Sequence, residues 1–311
     1  MQAVFTIALP FFALIFTGYG AGRAGLIPQS AVSGLSVFVF YFALPALLLT
    51  SVSQAPVREL ADLRLLVAWL VPSLVLFSLV FLACRPLFRT SRAERAVQAL
   101  AATFSNVGFV GLPLVVVALG SQAVLPAIIV VLVDTVLMIA IATAIIELDQ
   151  GRSGGIRQVV RTIGSGVIRN AVIVASVIGL VLGAKEWSIP GPLFSYLELL
   201  GGAAAPAALF ALGATLASRP LGEGMGQIGF IIAIKLVVHP LMVWLLATML
   251  GLPPLWIAVL VIQASLPIAA NVYVLAQRYQ TYVAPASSVI FWSTAVSVLT
   301  VSLVMLMVVG D

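Results

Sequence analysis

Apolar residues run along the chain in blocks of about twenty, separated by short polar breaks, and they do not alternate with polar residues at the period of an exposed helix or strand. At 1.5 Å of rise per residue, blocks of that length match a hydrocarbon core of roughly 30 Å. Ten helical spans are predicted, at 3–22, 34–54, 64–84, 96–119, 123–147, 169–184, 192–217, 227–250, 255–278 and 283–309. The longest hydrophilic stretch, ELDQGRSGGIRQVVRTIGSGVIRN, falls between spans five and six. It divides one transmembrane domain into segments 3–147 and 169–309, joined by 148–168. The pattern predicts an all-α polytopic membrane protein.

Composition narrows the choice. Hydrophobic residues make up 62% of the 311 and charged residues 8%, against about a quarter charged in soluble domains. The net charge of +5 comes from arginines in short loops, which read as topology signals and not as a nucleic-acid surface. Arg23, Arg85, Arg89, Arg92, Arg95, Arg152, Arg157, Arg161, Arg169, Arg219 and Arg278 fall on one side. Arg58, Arg64 and Lys185 fall on the other, with Lys235 inside a span. The positive-inside rule therefore puts both termini outside and the central loop in the cytoplasm, as expected in an inner or plasma membrane. With one cysteine (Cys84) and one histidine, no disulfide and no histidine-rich metal site are expected. The first apolar block lacks a basic leader and reads as a span, not a signal peptide. No phosphate-cradling glycine motif appears, so no cofactor and no primary pumping are expected, and any concentrative transport must draw on an H+ or Na+ gradient.

Five spans per half is an odd number, so the second half enters the membrane from the opposite side, and any repeat is inverted. Three landmarks recur in order. FALPALLL with Pro45 answers AAAPAALFAL with Pro206, FSNVGFVGLP answers QASLPIAAN, and Pro126 answers Pro285. Span four carries Asn106, Gly108, Gly111 and Pro113 at mid-depth, and span nine carries Gln263, Ser265, Pro267 and Asn271. Proline and glycine interrupt a helix in lipid only where the freed backbone groups find partners in protein, water or a ligand. Two such breaks at corresponding depths predict discontinuous helices whose half-helix ends form a binding site, with Tyr273 beside it.

Together SNVGFVGLPL, the FALPALLL proline, the arginine-rich cytoplasmic approach and KLVVHPL resemble the auxin efflux carrier family, which includes malonate transporter-like proteins. The resemblance covers essentially the whole chain. It implies a five-plus-five inverted repeat like that of bile acid sodium symporters, crossing at spans four and nine. It also implies a moving unit of spans three to five and eight to ten, and a scaffold of spans one, two, six and seven through which a homodimer forms. By that resemblance, Asn106, Pro113, Pro267 and Asn271 line the substrate site.

Three ionisable residues sit deep inside spans, whereas Glu198 lies only a turn or two from the outer boundary of its span. Asp134 lies about ten residues from either end of span five, and Lys235 and His239 share one face of span eight. A buried Asp134–Lys235 pair is expected, supporting the crossing or responding to a proton. Trp187, Trp256 and Trp292 read as interfacial anchors. These features predict a secondary carrier of small organic anions, with substrate and lipid as its partners. The alternatives are a sodium-coupled anion symporter, an intramembrane enzyme using Asp134 and His239 as acid and base, and a membrane sensor.

Overall fold

The computed structural model describes residues 2–54, 62–151, 170–217 and 225–309. Among them the backbone is helical apart from turns and one isolated bridge, since a helix satisfies its own N–H and C=O groups where water is absent. Twelve helices follow one another: α1 (Gln2–Arg23), α2 (Gln29–Ser53), α3 (Leu63–Phe88), α4 (Arg92–Thr103), α5 (Val107–Leu119), α6 (Ser121–Asp149), α7 (Ala171–Ala184), α8 (Gly191–Ala217), α9 (Met225–Met249), α10 (Pro254–Ser265), α11 (Asn271–Tyr279) and α12 (Val283–Val309). Six of them, α2, α3, α6, α8, α9 and α12, are long and apolar enough to cross a membrane, and α5, α7 and α10 are shorter apolar helices. The chain is a multi-pass helical membrane protein. Arg58, Arg152, Arg157, Arg161, Arg169 and Arg219 lie outside the described residues.

Helix packing follows a swapped pattern. α1 lies along the second half of α8, and α7 lies along the second half of α2. Small residues permit both approaches: a Cβ on Gly213 would strike the Ile15 backbone, and one on Gly179 would stand 2.9 Å from Val52 Cβ. Elsewhere α3 packs on α4 and α9 on α10, while α3 and α9 also touch.

Several prolines are absorbed without ending a helix. Pro45, Pro113 and Pro240 each follow a wide turn closed by a bond to the fifth preceding carbonyl: Leu44 N to Val39 O, Leu112 N to Val107 O, and His239 N to Ile234 O. Proline lacks a donor and crowds the carbonyl four residues back, so a wide turn relieves both problems. A fourth wide turn, Asp134–Met138, contains no proline and begins at the buried acid. Trp187 is exposed, as an anchor would be, but Trp256 is only 6% exposed. α10 packs against α6, α9 and α12, which draws its first turn into the core.

Candidate functional site

Two interruptions meet inside the fold. α4 stops at Thr103 and the chain runs extended through Phe104 (φ −86°, ψ 106°) to Asn106 before α5 begins. α10 stops at Ser265 because Leu266, which precedes Pro267, is held extended at φ −64°, ψ 155°. The extended pieces pair as one antiparallel bridge, Ser105 opposite Ile268. Asn106 N–H donates to Pro267 O at 2.9 Å and Ala269 N–H donates to Phe104 O at 3.3 Å. Four backbone groups that would be orphaned in hydrocarbon are thereby satisfied, each break serving the other.

The flanking helices hold the bridge in a matching way. Ile268 N–H donates to Ser293 Oγ at 3.1 Å, and Ser105 N–H faces the Asp134 carboxyl group. Asp134 stands eight residues after Pro126, and Ser293 eight after Pro285. At the far end of the same helices, Tyr279 Oη donates to Glu147 Oε1 at 2.7 Å and Ala93 N–H donates to Asp149 Oδ2 at 3.0 Å, tying α4, α6 and α11 together.

A cavity of about 340 Å³ opens beside the bridge. One wall comes from the breaks and the helices behind them, with Ser105, Asn106, Gly108, Thr135 and Asn271. The opposite wall comes from α2, α8 and the start of α7, with Ser36, Thr215 and Asn170. Asn106 is buried and its side chain caps nothing. Ser105 Oγ is buried without a protein partner. The first N–H groups of α5, including those of Val107 and Gly108, have no helical acceptor behind them and border the cavity. Polar donors therefore converge on an otherwise apolar space of small-molecule size.

The residues singled out from the sequence divide into two groups. Asn106, Gly108 and Asn271 line the cavity; Gly111, Pro113, Gln263, Ser265, Pro267 and Tyr273 do not. Pro267 acts through its carbonyl on Asn106, and Ser265 Oγ donates to Ile262 O at 2.8 Å within its own helix. A Cβ on Gly111 would collide with the side-chain ends of Gln263 and Leu266, which would have to shift within a buried site. The fully buried Gln263 amide has no protein partner. Tyr273 Oη accepts from Gln277 Nε2 at 2.9 Å. Sequence reading missed Ser36, Ser105, Thr135, Asn170 and Thr215. Only Asn170 carried a local signal, as a helix N-cap before an apolar run; its Oδ1 accepts from Val172 N–H at 3.0 Å.

Asp134, Lys235 and His239 are all fully buried, yet Asp134 and Lys235 make no direct ion pair. Trp69 Nε1 donates to Asp134 Oδ1 at 2.8 Å, leaving Oδ2 without a protein partner. Lys235 Nζ donates to Ala264 O at 2.5 Å, in the last turn of α10, where a cation complements the helix dipole. Its second contact is His239 Nδ1 at 3.4 Å. Ser73 Oγ spends its proton on Trp69 O at 2.8 Å, so at 3.1 Å it accepts from His239 Nε2–H. The imidazole is thus held as the neutral ring, Nε2–H toward Ser73 and the Nδ1 lone pair toward Lys235. Among the described residues no group of three or more metal-ligating side chains occurs.

Comparison with known proteins agrees with this architecture. Residues 3–305 match the family described as membrane transport protein. The chain is 34% identical over 307 residues to a protein of Rhizobium meliloti (strain 1021) named "Putative malonate transporter", covering 97% of this chain and 95% of that one. It is 28% identical over 296 residues to an uncharacterized transporter of Escherichia coli (strain K12), covering 94% and 92%. An uncharacterized transporter of Methanothermobacter thermautotrophicus is 26% identical over 299 residues, covering 95% of each. With helices long and apolar enough to cross a membrane, two paired breaks and a largely apolar cavity with a few polar groups beside them, the chain belongs to the membrane transport protein family, the auxin efflux carriers, and is a transporter and not an enzyme.

Proposed function

We propose that this transporter is a secondary carrier of small organic anions, carboxylates foremost, which binds its substrate in the cavity beside the Ser105–Ile268 bridge. The observation that carries this reading is the backbone pairing of two broken helices next to the converging donors of Asn106, Asn271 and the first turn of α5. Neutral amide and N–H donors suit a carboxylate, and a helix N-terminus favours negative charge. The name of the Rhizobium relative makes malonate the first probe to try.

In this reading the chain makes ten membrane crossings as two inverted halves, 3–147 and 169–309. The α1–α8 contact and the α7–α2 contact are then one packing arrangement seen twice, as are α3 on α4 and α9 on α10. The equal offsets of Asp134 and Ser293 from Pro126 and Pro285 support the same symmetry. Because the cavity has one wall from the breaks and the other from α2, α7 and α8, sliding the first against the second, an elevator movement, would expose the site alternately to each side. Ser36, Asn170 and Thr215 lie near the helix ends that lead to the arginine-rich loops, so the conformation described here faces the cytoplasm if both termini are outside. The exposed apolar residues Val177 and Val181 on α7 and Leu193 on α8 would meet lipid or the second copy of a homodimer.

The test is reconstitution in proteoliposomes with labelled acetate, malonate and succinate, with and without sodium, beside a thermal-shift screen of the same compounds. A carrier moves at least one of them chemically unchanged and is stabilised by it. If none is moved and none shifts the unfolding temperature, the anion reading fails.

A further inference from the structure

Three ionisable side chains stand at mid-depth in this protein, and the acids and bases of the helices around them lie toward the helix ends, on α4 as Arg92, Glu94 and Arg95 at its start. α5, α10 and α12 contain no ionisable residue at all. On α3 the acids and bases are at its ends, and on α6 Glu147 lies thirteen residues from Asp134, roughly 20 Å along the axis. The groups that face Asp134 are Trp69 from α3, Lys235 from α9 and the Ser105 N–H from the break, while His239 faces Lys235. Two of the three titratable groups are already committed. His239 is fixed in its neutral tautomer between Ser73 and Lys235, and the Lys235 ammonium has Ala264 O and His239 Nδ1 as acceptors. Asp134 alone has an atom outside hydrogen-bond geometry, the buried Oδ2, the Ser105 N–H facing the carboxyl group without completing a bond to that oxygen. A carboxylate oxygen kept from water without a donor is costly, whereas a carboxylic acid brings its own proton.

Asp134 also touches the cavity wall. Ser105, whose N–H faces its carboxyl group, lines the cavity with a buried hydroxyl that has no protein partner, and Thr135, its neighbour in sequence, lines it too. We propose, building on the anion-carrier reading, that Asp134 takes up one proton as an anion binds beside the Ser105–Ile268 bridge, so that the protein is a proton–anion symporter. The charge count gives the coupling. With Asp134 ionised, its negative charge offsets Lys235; with Asp134 protonated, Lys235 stands as a net positive charge behind the site and complements the anion. The proton enters from the aqueous side to which the cavity is open, rests on Asp134 Oδ2, and leaves on the other side with the substrate. A sodium ion needs several oxygen ligands, whereas the neighbours of Asp134 are the Trp69 and Ser105 N–H groups and the Lys235 ammonium; a proton needs only Oδ2. Linkage is reciprocal: a bound anion raises proton affinity by the factor that the bound proton raises anion affinity.

Binding and flux of malonate and acetate by the full-length protein test the proposal, at pH values where both probes stay fully ionised. The expected result is an affinity that falls by up to about tenfold per pH unit on the alkaline side, with uptake of close to one proton per anion bound in weakly buffered solution. In proteoliposomes an inward proton gradient then drives accumulation. Asp134→Asn, a mimic of the protonated form, should bind with a pH-independent affinity and exchange the anion without responding to the gradient. The wild-type proton count stands by itself if that variant fails to fold. PH-flat wild-type affinity, accumulation driven by sodium in place of protons, or an unchanged slope in Asp134→Asn would each overturn the proposal with the anion site intact. Binding of neither probe at any pH would remove the anion reading, and this coupling with it.

Discussion

Asp134 and Ser293 do the same work on opposite sides of the bridge: one faces the Ser105 N–H and the other accepts from the Ile268 N–H at 3.1 Å. Each lies eight residues beyond the proline near the start of its helix. One position is filled by an acid and the other by a hydroxyl, so the two breaks are alike in backbone and unlike in charge.

Ser293→Ala removes the acceptor of a buried N–H and should cost about 1–3 kcal/mol of stability. Ser297→Ala, four residues later on the same helix, serves as the comparison, since Ser297 Oγ donates to Thr294 O at 2.8 Å within its own helix and its removal orphans no N–H. Chemical unfolding of the two variants in one detergent gives the difference; equal losses would deny Ser293 its special place at the break.

Asn106→Ala and Asn271→Ala should each weaken carboxylate binding about tenfold or more, the effect of deleting a hydrogen bond to a charged group, roughly 1.5–3 kcal/mol. Both variants should remain inserted and monodisperse. Binding isotherms beside size-exclusion profiles separate loss of site from loss of fold, and wild-type affinity in both variants would reject the amides as ligands.

Two glycines in one helix should respond in opposite ways. Gly111→Ala pushes a methyl group into Gln263 and Leu266 and should destabilise by about 1–3 kcal/mol through overpacking. A Cβ on Gly108 meets nothing within 4 Å, so Gly108→Ala should keep the unfolding midpoint while narrowing the cavity and lowering uptake. Thermal unfolding and flux measured on both variants check the contrast.

Lys235→Met leaves Asp134 without its counter-charge, and Asp134→Leu leaves an unpaired buried cation; each should destabilise by about 3–5 kcal/mol. Their combination should recover most of the loss, and a double-mutant cycle read by denaturant unfolding measures that coupling. Additive losses would mean that the two charges do not sense one another.

Much of this was legible in the chain. Leu266–Pro267 announces its break, because the residue before a proline avoids the helical region. The Phe104–Asn106 break does not announce itself. No residue there forbids a helix, and Pro113, which seemed responsible, sits in a continuing helix behind a wide turn. That break exists because Pro267 O and Ala269 N–H complete its hydrogen bonds, a tertiary cause no local pattern carries. The depth of Asp134 was readable from its distance to the span ends, whereas its contact with Trp69, 65 residues away, was not. The cavity's second wall stayed hidden for a similar reason: Ser36 and Thr215 look like ordinary helix hydroxyls until α2 and α8 are placed opposite the bridge.

The two bonds across Ser105 and Ile268 stitch the N-terminal half of the polypeptide to the C-terminal half at its most sensitive point. If the proposed elevator movement operates, the two interruptions travel together as a single cassette, neither parting from its mate midway. A cross-link placed between Phe104 and Ala269 should leave turnover untouched, while one joining either of them to Thr215 should freeze the machine.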